Sequence, residues 1–381
     1  MNKSTTKKSM ISLFAILLSL LILAGCAPKG TPDGSGTEGS VPVTPPVSSQ
    51  PVDTEGDANR IFIDSVGREI ELPADLVRIA PSGTLADIIL FTAIPDRLNG
   101  ISTAFTKSQL KLFDAKYGNL PVFGKFYGKG PDYNLESVLS ADTQVIVDIG
   151  EPKESITQDM DDLMNQIKVP TIFIEALFAD LPETYRTIGK LVGDSSRTDL
   201  LAAYLDDVLA LSEKAKSEVP EEDRVRIYWA MGELGLNTNA ASSFHAELLD
   251  YVPLINVADI EAVQRGGGSE VSMEQVLTWD PDYILIDDYN LMEEMKKDPA
   301  WMALSAMKEG RYVVIPSQPY GFLANPPSVN RIAGLQWLGN IFYPSVYTTD
   351  KMDAVREFYE LFYGITVNDA DLEAIMEGTF E

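Results

Sequence analysis

Apolar positions along this chain fall into short continuous runs separated by longer amphipathic stretches. Val77 to Ala80, Val145 to Ile149, Thr171 to Ile174, Val225 to Ala230, Tyr283 to Asp287 and Tyr312 to Ile315 have the length and continuity of strands buried on both faces. The stretches between and after them predict helices at Thr84–Thr92, Leu135–Ala141, Ser155–Ile167, Phe244–Tyr251, Met273–Trp279, Trp301–Met307 and Val329–Phe342. Alternating strands and helices imply an α/β chain with mainly parallel sheets covered on both faces. Arg60 to Leu72 reads as a hairpin turning at Ser65-Val66-Gly67, Leu98 to Ile101 as one further strand, and Lys351–Tyr363 and Asp369–Glu377 as two closing helices.

One amphipathic stretch has no strand beside it. Asp180 can N-cap a first helix, Pro182 lies in its opening turn, and Gly193 can C-cap it. A second helix, Arg197 to Val219, places Leu200, Leu201, Tyr204, Leu205, Val208 and Leu211 at three- and four-residue spacing. At ~1.5 Å per residue it would span roughly 35 Å, about the width of a small domain. We read it as a strut between two α/β halves; the alternative is a covering helix of one large domain.

An internal repeat supports two halves. Leu135-Glu136-Ser137-Val138-Leu139-Ser140-Ala141-Asp142 leads into Val145-Ile146-Val147, and Met273-Glu274-Gln275-Val276-Leu277-Thr278-Trp279-Asp280 leads into Tyr283-Ile284-Leu285. Glu, Val, Leu and Asp recur at the same offsets without a gap. The matched Glu136 and Glu274 are the specific part, since helices feeding strands are common in α/β proteins.

The amino end is not part of this pattern. Lys3, Lys7 and Lys8 precede an apolar run from Met10 to Ala24, too short for a membrane-spanning helix of ~20 residues and suited to an export signal. It ends in Leu23-Ala24-Gly25-Cys26, which resembles the lipobox of bacterial lipoproteins, and Cys26 is the chain's only cysteine. Lys29 to Asp57 is rich in Gly, Ser, Thr and Pro and reads as a disordered tether. The expected divisions are a signal peptide over 1–25, lipidated Cys26 and tether over 26–59, an N-terminal lobe over 60–180, connecting helices over 181–222, a C-terminal lobe over 223–345 and closing helices over 346–381. Such a product is extracytoplasmic, anchored to the membrane by lipid and not spanning it.

Composition narrows the function. With 45% hydrophobic residues the chain is globular, and a formal charge of -27 argues against nucleic acid, which requires clustered cations. His245 is the only histidine, so neither a Ser-His-Asp triad nor a His-rich zinc site can form away from it, and it reads as a capping or solvent-facing residue. No nucleophile elbow, Walker loop, dinucleotide fingerprint or calcium loop is present. An enzyme is not expected, and no cofactor. Instead, loops carry ligand-type residues: Phe123 to Tyr133 with Lys125, Tyr127, Lys129 and Tyr133; Ser82-Gly83-Thr84 between a strand and a helix; Arg265-Gly266-Gly267-Gly268; and Pro319-Tyr320-Gly321-Phe322 followed by Pro326 to Arg331. Cations, aromatics and a helix start suit an anionic, partly flat ligand.

Together these features resemble the substrate-binding lipoproteins of ABC importers in the iron-siderophore, haem and cobalamin group. The likeness is carried by Asp64-Ser65-Val66-Gly67-Arg68-Glu69, Leu72-Pro73, Asn134-Leu135-Glu136, Val271 to Leu277, Asp280-Pro281-Asp282 and Pro326 to Arg331. It implies two Rossmann-like lobes joined by a single long helix, the class III periplasmic-binding architecture, with ligand between the lobes. It also implies an iron-siderophore, haem or corrinoid-type ligand, with an ABC permease and its ATPase as partners and a monomeric binding protein. In that family a glutamate on each lobe docks onto permease arginines, and Glu136 and Glu274 match those positions. On this basis Ser82, Thr84, Tyr127 and Lys129 are candidate contacts from the first lobe, with Arg265, Tyr320 and Arg331 facing them. A small oxyanion such as molybdate on the same scaffold is the alternative, and a surface enzyme or receptor that has reused the fold is a further one.

Overall fold

The computed structural model describes residues 59–127, 132–262 and 268–380. The leader, the tether with Cys26, and the candidate contacts Lys129 and Arg265 lie outside the described residues.

The first lobe opens with an antiparallel hairpin, β1 (Arg60–Ile63) and β2 (Glu69–Leu72). Its sheet has the order β3-β4-β5, all parallel, from β3 (Ile79–Pro81), β4 (Val145–Gly150) and β5 (Thr171–Glu175). The helices are α1 (Thr84–Ala93), α2 (Lys107–Leu112), α3 (Leu135–Ser140) and α4 (Ile156–Ile167). Leu98 to Ile101 does not form the expected strand. Leu98 and Ile101 make only single bridges, while Asn99 is drawn aside to Ala141 and Thr143, and Gly100 lies against the Phe123 ring.

Next come α5 (Leu181–Val192) and α6 (Ser196–Glu218), with Gly193 in the left-handed region between them at φ 71°. A Cβ on Gly189 would meet Thr198 Oγ1 at 2.2 Å, so glycine is what lets these helices approach so closely. The inward face of α6 is Leu201, Ala202, Leu205, Val208, Ser212 and Ala215. Leu200, expected on that face, points outward at 57% exposure. Successive residues lie ~100° apart on a helix, and the elements packed against α6 cover the side of Leu201 and Ala202 and leave Leu200 outside.

The second lobe has β6 (Arg226–Ala230), β7 (Asn237–Thr238), β8 (Ile255–Asn256), β9 (Ser269–Glu270), β10 (Tyr283–Ile286) and β11 (Tyr312–Val314). Four of them make a parallel sheet in the order β11-β10-β6-β8, and β7 pairs with β9 antiparallel. Its helices are α7 (Leu248–Tyr251), α8 (Met273–Trp279), α9 (Tyr289–Met295), α10 (Ser305–Lys308) and α11 (Asn330–Phe342). The expected helix from Phe244 is split: a 3-10 turn, Phe244–Ala246, is capped by Ser243 and precedes α7. The chain closes with α12 (Lys351–Phe358), a π-helical turn (Tyr359–Tyr363) and α13 (Asp369–Met376). Among the described residues no helix is long and apolar enough to cross a membrane.

The architecture is thus two α/β lobes joined by one long helix, the class III binding-protein fold. A single apolar core runs through both: Ile79, Val145 and Ile172 from the first sheet, Leu201 and Leu205 from α6, and Trp229 and Leu285 from the second sheet. The C-terminal helices add a second tie. Phe362 meets Tyr185 of α5 and Tyr204 of α6 at 5.7 Å each, and Tyr363 meets Phe113 at 5.5 Å. Arg197 of α6 donates to the Thr92 carbonyl in α1 at 2.8 Å and to those of Leu361 and Phe362 at 3.0 Å.

The internal repeat is realised contact for contact. Asn134 caps α3 by accepting from the Ser137 amide, and Ser272 caps α8 by accepting from that of Gln275. Val138 and Val276 are both fully buried. Asp142 and Asp280 both take positive φ, 54° and 40°, just past the helix. Arg78, just before β3, donates to the Asp142 carbonyl at 2.7 Å, and Arg226, opening β6, donates to that of Asp280 at 2.9 Å. These contacts fix the end of each helix at the amino ends of the strands. Each helix therefore begins toward the carboxyl edge, where open α/β sheets bind ligands.

Candidate functional site

At the carboxyl edge of the first sheet lies a cavity of about 300 Å³. Ser82 and Gly83 follow β3 into it, Thr84 to Ala86 form the first turn of α1, and Asp148 to Glu151 end β4. Lys125, Tyr127, Lys153 and Phe173 complete this side, and Pro326 reaches in from the second lobe. Gly83, the N-cap of α1, has no side chain to occupy the helix's free amides. Those amides and the helix dipole therefore point positive charge at the cavity.

The side chains around this turn are held in place. Ser82 is buried and its hydroxyl donates to Asp148. Burial pushes the Asp148 carboxyl up, opposed by the Ser82 bond and the Lys153 charge. Tyr127 donates to Asp159 at 2.8 Å, and the Lys153 ammonium sits 3.7 Å from the centre of its ring. Burial, then the bond to Asp159, raises the Tyr127 phenol, which stays neutral at physiological pH. Lys125 and Lys153 thus bring two cations to a helix N-terminus, with Ser82, Thr84 and Tyr127 as hydroxyl groups.

The second lobe contributes a smaller hollow of about 170 Å³ at its own carboxyl edge, lined by Trp229, Asp287, Asp288, Ile315 to Ser317, Gly321 and Leu323 to Asn325. The loop from Pro316 to Ser328 forms one rim and is fastened from several directions. Gln109 of α2 donates to the Pro319 carbonyl at 2.8 Å, Asn330 to that of Tyr320 at 2.9 Å, and Tyr359 to that of Gln318.

Of the candidate contacts, the structure gathers Ser82, Thr84 and Tyr127 into one cavity. It places Tyr320 and Arg331 elsewhere. Tyr320 packs among aromatic rings, 6.4 Å from Phe113 and 6.3 Å from Tyr363. Arg331 is 2% exposed, pairs with Glu247 at 3.1 Å and lies between the rings of Phe178 (4.8 Å) and Phe244 (5.0 Å). A guanidinium desolvated, paired with a carboxylate and held between two rings has the surroundings of a structural cation, in contrast to the ligand contact expected from the sequence. His245 is half-buried near Ala324 and Arg331, and burial holds its pKa down. Asp148 and Lys153 join the site beyond the residues expected from the sequence; the carboxyl-edge rule, applied to β4 as well as β3, points to both. Glu136 and Glu274 are exposed on α3 and α8.

A larger cavity of about 480 Å³ lies away from this edge, beside α2 and the turn between α5 and α6. Its charges are spoken for: Lys116 pairs with Asp96, Arg97 donates to the Leu76 carbonyl, and Arg197 caps three carbonyls. Among the described residues no cluster of three or more His, Cys, Asp or Glu is placed to hold a metal ion.

Comparison with known proteins bears on this geometry. A family model described as periplasmic binding protein matches residues 127–319. The chain is 24% identical over 335 residues to the molybdate-binding protein MolA of Haemophilus influenzae, covering 80% of this chain and 91% of that one. It is 20% identical over 323 residues to the Fe(3+)-citrate-binding protein YfmC of Bacillus subtilis, covering 81% and 90%. Among solved structures, an ABC transporter solute binding protein from Sulfurospirillum deleyianum superposes with a TM-score of 0.76 at 26% identity, covering 83% of this chain and 98% of that one.

Proposed function

Because this chain belongs to the periplasmic binding protein family, as a solute-binding component of an ABC importer and not an enzyme, we propose that its cleft captures a compact, oxygen-rich anion for delivery to the permease. The observation that carries this reading is the uncapped start of α1, aimed with Lys125 and Lys153 into a cavity of about 300 Å³. Helix-start amides and ammonium groups recognise clustered anionic oxygens, whether those of an oxyanion or of a ferric carboxylate complex. The volume lies within the range of ligand pockets, about 300–1,000 Å³, and the cations with the helix start suit a compact anion. The named ligands of two relatives, molybdate and ferric citrate, belong to this chemistry. Thr84 supplies a hydroxyl, Ser82 and Tyr127 line the cavity with their protons given to Asp148 and Asp159, and Lys129 and Arg265, outside the described residues, are the remaining candidate cations.

Calorimetric titration of the purified protein with molybdate, tungstate, ferric citrate, haem and cyanocobalamin tests the proposal. Saturable binding of molybdate and tungstate identifies an oxyanion carrier, and binding of ferric citrate an iron-carboxylate carrier. Binding of haem or corrinoid with no response to the anions would overturn it.

On the same reading Glu136 and Glu274 meet cationic side chains of the permease, and Cys26 carries a lipid that holds the protein at the membrane. Two carboxylates on a stiff frame act as a two-point gauge, in which charge complementarity favours encounter rate and register.

A further inference from the structure

The repeat unit contains residues that the fold explains and residues that it does not. The caps Asn134 and Ser272, the buried Val138 and Val276, and the left-handed Asp142 and Asp280 are all required by a helix feeding a strand. Leu139 and Leu277 are not. They hold the same place in the two copies, yet stand 53% and 40% exposed. A single exposed leucine on a surface is ordinary. Two at matched positions of a structurally faithful repeat, each in a short helix, are not accounted for by packing.

Each leucine lies three residues after a glutamate, Glu136 in α3 and Glu274 in α8. Residues three apart are neighbours on one helix face. Neither glutamate takes part in an ion pair among the described residues, although lysines and arginines elsewhere in the chain are heavily paired. Each lobe therefore presents the same two-residue patch, a carboxylate and an exposed isobutyl group about one turn apart on a short helix.

Resting on the permease-docking reading above, we infer that Leu139 and Leu277 are apolar anchors of the docking surface, each seating in a hollow beside the cation that receives the neighbouring glutamate. The occupant is the extracytoplasmic face of the importer's permease, presenting two cationic side chains, each bordered by apolar surface. The unpaired carboxylate fixes the sign of that partner, and the exposed leucine fixes the character of what surrounds the charge. The glutamates then set encounter rate and register, and the leucines set residence time, since burial of apolar surface acts after contact while charge acts before it.

The test uses the full chain and its own permease–ATPase complex in nanodiscs, with association and dissociation rates followed by interferometry at two salt concentrations. Leu139→Ser and Leu277→Ser are each expected to weaken the complex about tenfold, as loss of one well-buried leucine implies, chiefly through faster dissociation and with unchanged salt dependence. Leu139→Met and Leu277→Met should restore binding. Glu136→Gln and Glu274→Gln should instead slow association and flatten the salt dependence. Unchanged melting temperature and solute titration in every variant exclude misfolding. If the wild-type chain binds and the serine variants bind equally well, the leucine inference fails while docking through the glutamates stands. If the wild-type chain shows no binding to the complex, the docking reading fails, and this inference with it.

Discussion

Arg331 is where the residue type and its surroundings point in opposite directions, and one substitution decides between them. By type it suits an anion. In the structure it is a buried cation whose Nη1 reaches Glu247 at 3.1 Å and whose plane is bracketed by Phe178 and Phe244. Phe178 follows β5 in the first lobe, whereas Phe244, Glu247 and Arg331 belong to the second. Arg331→Ala removes the pair and both ring contacts and leaves Glu247, only 27% exposed, without its cation. Breaking a buried ion pair from one side costs ~3–5 kcal/mol, and ring contacts of this kind contribute ~0.5–2 kcal/mol each. Glu247 can turn toward water, so a total loss of about 3–5 kcal/mol is expected rather than the full sum. Arg331→Met combined with Glu247→Gln removes both charges while keeping the volume, and Nε of Arg331 has no partner to lose. The double variant should therefore lie within about 1–2 kcal/mol of wild type. Urea denaturation of the two single variants and the double variant measures the coupling, and anion titration accompanies it. Ligand affinity should stay within about threefold of wild type throughout. An Arg331→Ala protein of normal stability that no longer binds its anion would refute the argument and return Arg331 to the ligand.

Other outcomes follow from the same structure. Asp87 is buried in α1, accepts the Ser102 amide and hydroxyl at 2.8 Å each, and is pushed up to about 7 by burial from an ordinary 3.8. Its raised folded value means that its contribution to stability is fully present below about pH 4 and is lost as pH rises through about 7; Asp87→Asn should remove this dependence, read as the difference in urea midpoint from wild type across pH 4.5 to 8. Lys153→Gln should weaken anion binding roughly 10- to 100-fold, the scale of one charged hydrogen bond, with no change in melting temperature; an unchanged affinity would remove Lys153 from the site. Small-angle scattering with and without ligand should differ little, and a closure of tens of degrees would show that Gly193 is a true hinge. Cys26→Ser should release the protein from the membrane fraction into the soluble fraction of the producing cells, and retention would end the lipid-anchor reading.

Much of the fold could be read from the chain because its signals are local and redundant. The buried strands are continuous apolar runs, and the caps Asn134 and Gly193 stand where the helices start and stop. What escaped reading was made by pairing or by a choice between equal patterns. β7, β8 and β9 are two residues each and exist only against their partners. Leu200 and Leu201 both fit an apolar stripe, and only the neighbouring elements select Leu201. α2 was missed although Thr106 and Gln109 form a capping box, a signal present in the sequence. The site was legible in proportion to its dependence on backbone. Ser82 and Thr84 follow from a strand-to-helix turn, whereas nothing in the type of Tyr320 or Arg331 distinguishes a ligand contact from a packed ring or a buried ion pair.

The contacts on either flank of α6 bear on how such a protein transmits occupancy. A lone helix between two lobes would leave bending about that helix as the softest motion. Here Arg331 and Phe178 tie the lobes on one flank, and on the other Gln109 holds the Pro319 carbonyl while Tyr359 and Tyr363 reach Gln318 and Asn330. The loop from Pro316 to Ser328, which presents Asn325 and Pro326 to the cleft, is thus gripped from both lobes and from the C-terminal helices. A ligand that engages this loop and the start of α1 together must fit a largely formed space, and its binding energy is not consumed in closing the lobes. These ties are the reason that little closure is expected in scattering. Because Arg78 and Arg226 hold the ends of α3 and α8 at matched carbonyls, a change in the angle between lobes would alter the separation of Glu136 and Glu274. On the proposed docking of Glu136 and Glu274, a stiff frame is suited to reporting occupancy as spacing, not as shape.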